Sequence, residues 1–145
     1  MFDIYVERVI DKDINTVFEI LADHEGSSQF RGVEDAKLLE PGTLERNGVG
    51  ALRQIDLGAV KFVERITCFE RPNRLDYMIE KSSPLPVKHE QGTITLQEEG
   101  DATRVTWVSK GTINIPILGA LFMDKLFERQ GNRAFGSLLK QLAEL

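Results

Sequence analysis

An α+β fold is predicted by three features of the sequence. The middle of the chain alternates apolar and polar residues with the period of two that strands show, whereas both flanks carry helical spacing. Turn signals recur at Pro41-Gly42, Asn47-Gly48, Leu57-Gly58, Arg71-Pro72-Asn73, Pro84-Leu85-Pro86 and Glu99-Gly100-Asp101. The intervals between them are too short for crossover helices, so the strands must form an antiparallel meander.

Phe2 to Ile10 alternates as a first strand. Asp13 then stands where a helix cap belongs, before Ile14, Val17, Phe18 and Leu21 at i, i+3, i+4 and i+7. The polar, glycine-broken stretch Asp23 to Gly32 holds at most one further helical turn. Six strands follow from Val33, seven in all. Alternation puts Phe62, Glu64, Ile66 and Cys68 on one face, Tyr77 with Leu75 and Ile79, and Trp107 with Val105 and Ser109. In the strand after Asn47, Val49, Ala51, Arg53 and Ile55 share a face, which points Arg53 inward unless a bulge intervenes. His89 falls on the outer face by strict alternation.

Between Pro116 and Leu145 no second proline interrupts the helical pattern. A helix of roughly 25 residues reaches about 37 Å, enough to lie along the whole sheet. Met123, Phe127, Gly131, Ala134, Leu138 and Leu142 form its inner stripe, with Lys125, Arg129, Arg133 and Lys140 opposite. Gly131 and Ala134 leave the middle of that stripe slender. Either the backbone approaches the sheet closely there, or the interior keeps room for a ligand.

At 145 residues the chain is expected to form a single domain, 1–145. The 23 acidic against 18 basic residues, net charge -5, disfavour a nucleic-acid partner. Cys68 is the only cysteine, which excludes an intramolecular disulfide and suits a reducing cytoplasm. No signal-peptide core and no run of about 18 apolar residues is present, so membrane contact is expected to be peripheral at most. His24 and His89 lie in unrelated segments and predict no metal site, and no cofactor is indicated. Gly48-Val49-Gly50 enters a strand and is a turn, not a phosphate loop.

Four pieces of wording recur in this order: Val6-Glu7-Arg8-Val9-Ile10-Asp11, Val17-Phe18-Glu19-Ile20-Leu21-Ala22-Asp23, Phe69-Glu70-Arg71-Pro72-Asn73-Arg74-Leu75 and Thr103-Arg104-Val105-Thr106-Trp107. With that element order, the chain resembles the polyketide cyclase/dehydrase-like branch of the START and birch-pollen-allergen (SRPBCC) superfamily along essentially its whole length. The resemblance implies a helix-grip fold, in which a curved seven-stranded antiparallel sheet wraps the long terminal helix and two short helices join strands one and two. It also implies an apolar cavity for lipids, quinones or polyketides. Phe30 occupies the place of an aromatic that borders the cavity in many relatives, whereas His24 stands where relatives often carry an aromatic. No branch-specific catalytic motif is matched.

A carrier or sensor of a hydrophobic small molecule is therefore expected. Phe30, Phe62, Ile66, Tyr77, Trp107 and Phe127 would form its walls, Gly131 and Ala134 the room, and Glu64 with Arg53 a polar anchor. Glu64 on an apolar strand face also suits acid or base work, which makes a cyclase or dehydratase the alternative; an ion pair with Arg53 is the structural reading of the same carboxylate. The apolar run Ile113, Ile115, Ile117, Leu118, Leu121 and Phe122 exceeds what the stripe requires. A cavity mouth, a membrane surface, or a partner-binding or homodimer contact each explains it, and oligomeric state is left between monomer and homodimer.

Overall fold

The computed structural model describes residues 1–145, apart from the side chains of Ala120 and Leu121; the share of Leu121 in the apolar run therefore lies outside the described residues. Its elements are β1 (Phe2–Ile10), α1 (Ile14–Ala22), a 3-10 turn (Glu25–Gln29), β2 (Asp35–Glu40), β3 (Leu52–Asp56), β4 (Lys61–Glu70), β5 (Arg74–Ser83), β6 (Val87–Glu99), β7 (Ala102–Ile113), a π-helical turn (Gly119–Met123) and α2 (Asp124–Ala143). The seven strands form one antiparallel sheet in the order β1-β7-β6-β5-β4-β3-β2. This is the helix-grip architecture, with β2 to β7 as the expected meander and β1 returning beside β7. The third strand is shorter than expected. It starts at Leu52, because residues 41–51 form a loop held by bonds such as Thr43 N–H to the Val49 carbonyl (3.0 Å).

α1 begins where the Asp13 side chain accepts the backbone N–H groups of Asn15 and Thr16, both at 3.1 Å. Its buried face is Ile14, Val17, Phe18, Leu21 and Ala22, and Phe18 packs edge-on against Phe69 of β4. Together with Ile66, Leu75, Ile94, Leu96, Val105, Leu139 and Leu142 this face closes one end of the sheet as the main core. Phe2, Ile4 and Ile113, with Ile115, Met123, Phe127 and Phe135 packed against them, make a second cluster at the other end. The concave face between the two carries polar side chains.

β1 is an edge strand, and its free backbone donors would invite pairing with another chain. α2 covers them. The Glu128 carboxylate accepts the Asp3 N–H (2.8 Å) and Asn132 Oδ1 accepts the Tyr5 N–H (3.0 Å). Gly131 sits between these two anchors. A β-carbon there would lie 2.3 Å from Ile4 Cδ1, so the missing side chain is what lets the helix settle on the edge strand. The helix start is fixed as well: buried Asp124 takes the N-terminal ammonium of Met1 (2.6 Å) and the Ile113 N–H (2.7 Å). As a result α2 hugs β1 and β7, while its backbone stands away from β3 to β6.

Candidate ligand site between sheet and helix

β4 and β3 pair with Arg53 opposite Glu64, and a shift in the β4–β5 register sets Glu64 against Ile79. Both charged side chains are buried on the concave face between Phe62 and Ile66. The Arg53 Nε–H donates to Glu64 Oε1 at 2.9 Å, while Nη1–H donates to His24 Nδ1 at 3.0 Å. Since guanidinium only donates, His24 Nδ1 must accept, and its Nε2–H donates to the Asn47 carbonyl at 2.8 Å. His24 is therefore neutral and fully enclosed. Burial and then the Arg53 charge push its pKa down to about 3. The Arg53 guanidinium also lies 5.2 Å from the centre of the Tyr77 ring, a cation–π contact.

Tyr77 extends this polar layer across the sheet. Its hydroxyl accepts the indole N–H of Trp107 at 2.9 Å, and burial, followed by the charge of Glu64, raises its pKa. The ring fits because β6 carries glycine beneath it: a β-carbon on Gly92 would come within 2.7 Å of the ring and of the Tyr77 carbonyl. A register shift between His89 and Gln91 turns His89 to the concave side. This corrects the outward placement expected from alternation. His89 stacks on Tyr77 (5.6 Å between centroids), accepts the Ile79 N–H at Nδ1 (3.0 Å), and so donates from Nε2 to Ser109 Oγ (2.9 Å). Burial lowers its pKa to about 4. The one sequence signal for this shift was Gly92, since a lone glycine in a strand marks a bulge or a close approach.

The structure brings Arg53, Phe62, Glu64, Ile66, Tyr77 and Trp107 onto one concave face and adds His24, His89 and Ser109, which sequence reasoning did not assign to the site. Phe30 belongs to the main core, at the end of the 3-10 turn. Phe127 is half-buried and spans from Phe2 (4.7 Å) to Phe62 (6.2 Å, edge-on). Ala134 is exposed and lines nothing. Its expected place is taken by Phe135, one residue further round the helix, whose ring stacks on Trp107 at 4.0 Å. Gly131 provides no interior room either, because Ile4 fills it.

The interior is accordingly not the open hollow that a slender helix suggested. Two concavities are open depressions on the outer surface, one beside α1 at Asn15, Glu19 and Gln29, the other beside β1 at Tyr5, Val108 and Glu128. Across the gap between α2 and the sheet, Phe127 reaches Phe62 of β4 and Phe135 stacks on Trp107 of β7. Several groups facing that gap, namely Ile79, His89, Phe127 and Phe135, stay only half-buried. Chemically the site offers apolar walls, one tethered carboxylate, one guanidinium and two neutral imidazoles. Among the described residues no group of three or more potential ligands is arranged to hold a metal.

The fold and this concave face define a START-like protein of the SRPBCC superfamily. More narrowly, the chain belongs to the polyketide cyclase/dehydrase and lipid transport family, whose model matches residues 1–145. Among solved structures it is similar to TTHA0849 from Thermus thermophilus, with 24% identity and a TM-score of 0.79 over 98% of this chain and 94% of that one. A START superfamily protein from Mycobacterium smegmatis superposes with the same TM-score, 0.79, at 12% identity over 99% and 96% of the two chains. The Aha1 dimer from Colwellia psychrerythraea follows at a TM-score of 0.70 and 12% identity over 99% and 95%. Similarity at this level speaks for the fold alone. No curated protein matches the sequence.

Proposed function

We propose that this protein binds a hydrophobic small molecule carrying one polar oxygen, in the gap between α2 and strands β3 to β6, without a covalent step. The observation that carries this reading is the Arg53–Glu64 pair. A buried ion pair is a poor source of stability, because desolvation offsets most of its attraction, and an apolar pair of similar volume would serve the fold as well or better. Here it sits in a polar layer with His24 and Tyr77, between apolar Phe62 and Ile66, at the depth where the helix backbone stands off the sheet. A ligand oxygen reaching that depth meets Arg53, while the bulk of the molecule replaces the aromatic contacts that Phe127 and Phe135 make in its absence. The family's description, polyketide cyclase/dehydrase and lipid transport, suits such a guest.

The carboxylate is already held by Arg53, which weighs against Glu64 as a free acid or base and so against the cyclase or dehydratase alternative. Titration with a fluorescent apolar anion, 1-anilinonaphthalene-8-sulfonate, tests the binding reading. The wild type is expected to bind one equivalent, and Ile79→Trp, which fills the gap above Tyr77, to abolish binding while the thermal midpoint holds. Unchanged affinity in a folded Ile79→Trp variant would move the site elsewhere.

A further inference from the structure

The solvent face of α2 has a composition that neither fold nor ligand site requires. Lys125, Leu126, Arg129, Arg133 and Lys140 are all exposed and fall within an arc of about 100° at 3.6 residues per turn. Leu118 and Phe122 continue the row through the π-helical turn, exposed by 54% and 64%. Among the described residues, each of the four cations lacks a carboxylate within ion-pair distance, whereas Arg46, Arg53, Arg65, Arg71, Arg74 and Arg104 are all paired. The two acids in the body of the helix are turned away from this face: Asp124 is buried against the Met1 ammonium, and Glu128 bonds to the backbone of β1. In a chain of net charge -5, four such cations in line on one helix are a local reversal of sign.

Just before the helix, Ile117 adopts φ 67°, a left-handed conformation that a β-branched residue takes only under strain, and its side chain is 75% exposed. The strain presents an apolar group to water where a polar residue or glycine would serve the turn at less cost. The segment is nevertheless pinned at its base by Asp124 and by the Gly119 N–H to Ile115 carbonyl bond (2.8 Å). Ile117, Leu118, Phe122 and Leu126 thus form a fixed apolar prow that runs back into a basic stripe.

From this arrangement we infer that the outer face of α2 docks on an anionic lipid surface. The four cations lie along the headgroups, and Ile117, Leu118 and Phe122 enter the boundary between headgroups and acyl chains. Apolar residues at one end with unpaired Lys and Arg along the same face are the pattern of a helix lying in a membrane interface. An acidic protein would be met by the cations but would leave the prow in water. A second copy of this chain would set the two basic stripes against each other. The inference does not depend on the ligand reading.

Sedimentation with vesicles tests it. The full chain should pellet with phosphatidylcholine vesicles containing one part in three of phosphatidylglycerol, and remain in solution with phosphatidylcholine alone. Replacing Lys125 and Arg129 by Gln should weaken attachment about thirty-fold, at roughly 1 kcal/mol per cation near an anionic surface. Phe122→Ser should weaken it with both charges intact. All these positions are exposed, so the thermal midpoint and the circular dichroism spectrum should not move. Equal pelleting with both vesicle types, no pelleting with either, or attachment unchanged in the double variant would overturn the inference. A concentration-dependent doubling of mass lost in Phe122→Ser, without lipid binding, would replace it with a homodimer, and saturable binding to a polyglutamate peptide alone would replace it with an acidic protein.

Discussion

Arg53 links three groups at once: a carboxylate, an imidazole and an aromatic face. Removing only its anionic partner strands a buried charge, so Glu64→Leu should destabilise the protein by about 3–5 kcal/mol in urea unfolding. The double variant Arg53→Met/Glu64→Leu should recover most of that loss while losing the ligand. It falls short of the wild type because His24 Nδ1 is left without a donor. A double variant as unstable as the single one would mean that the pair serves the fold. The histidines give a second prediction at this scale. Both have folded pKa values below the ordinary 6.5, so as pH falls below 6.5 the unfolded chain takes up protons that the folded chain refuses. Stability is then fully present above 6.5 and declines with falling pH, down to about 4 for His89 and about 3 for His24. Each histidine contributes a slope of up to about 1.4 kcal/mol per pH unit, and for His89 the slope ends at a higher pH than for His24. Between pH 6.5 and 5, before most carboxylates titrate, both folded histidines stay unprotonated, so His24→Asn and His89→Gln should each flatten the unfolding slope by nearly the same amount. An unchanged slope in either variant would contradict the lowered pKa of that histidine.

At the scale of elements, α2 is placed by its grip on the edge strand as much as by its apolar stripe. Gly131→Ala should cost up to about 2 kcal/mol in thermal unfolding, since overpacking against Ile4 by about 1–3 kcal/mol is offset in part by the roughly 1 kcal/mol of helix propensity that alanine adds. Ile4→Val removes the offending methyl, so it should restore the loss when combined with Gly131→Ala. Without that rescue, close packing is not what requires the glycine. Phe135→Ala should cost about 2–3 kcal/mol through the lost stack on Trp107, and should increase uptake of the apolar anion by clearing the gap. The inner stripe was partly legible in the sequence: Phe127 and Leu142 face inward, but Ala134 does not. A period of 3.6 cannot tell neighbours on the rim of a stripe apart, and the choice of Phe135 was made by the Trp107 ring across the gap. Likewise β4 kept its alternating faces from Phe62 to Ile66, whereas in β6 a bulge reversed the face of His89.

Viewed whole, the molecule pairs many of its acids with arginines, such as Glu40 with Arg65, Glu45 with Arg71 and Glu99 with Arg104, while the exposed face of α2 is basic. Among the described residues no helix is long and apolar enough to cross a membrane, so contact with lipid would be made through that face. Raising the salt from about 0.1 M to 1 M shortens the screening length from about 10 Å to 3 Å. It should therefore release the protein from anionic vesicles and leave the midpoint for the apolar anion within about two-fold, because the proposed ligand site lies between helix and sheet and not on that basic face. Loss of both at the same salt would mean that one surface accounts for both.

The amino-acid sequence by itself determined the α+β class, the meander with its turns, the capped first helix and the long terminal helix, and it offered the Arg53–Glu64 ion pair as one of two readings of that carboxylate. Each of these follows from local periodicity and from rules that act over a few residues. Tertiary structure alone decided that His24 and His89 join that pair, that Gly131 is a contact with Ile4 and not an opening, and that Phe135 covers Trp107. Those outcomes depend on which surfaces meet across the sheet, and on bulges that shift a strand by one residue. The energy of such contacts is set by partners far apart in the chain, beyond the reach of any local pattern.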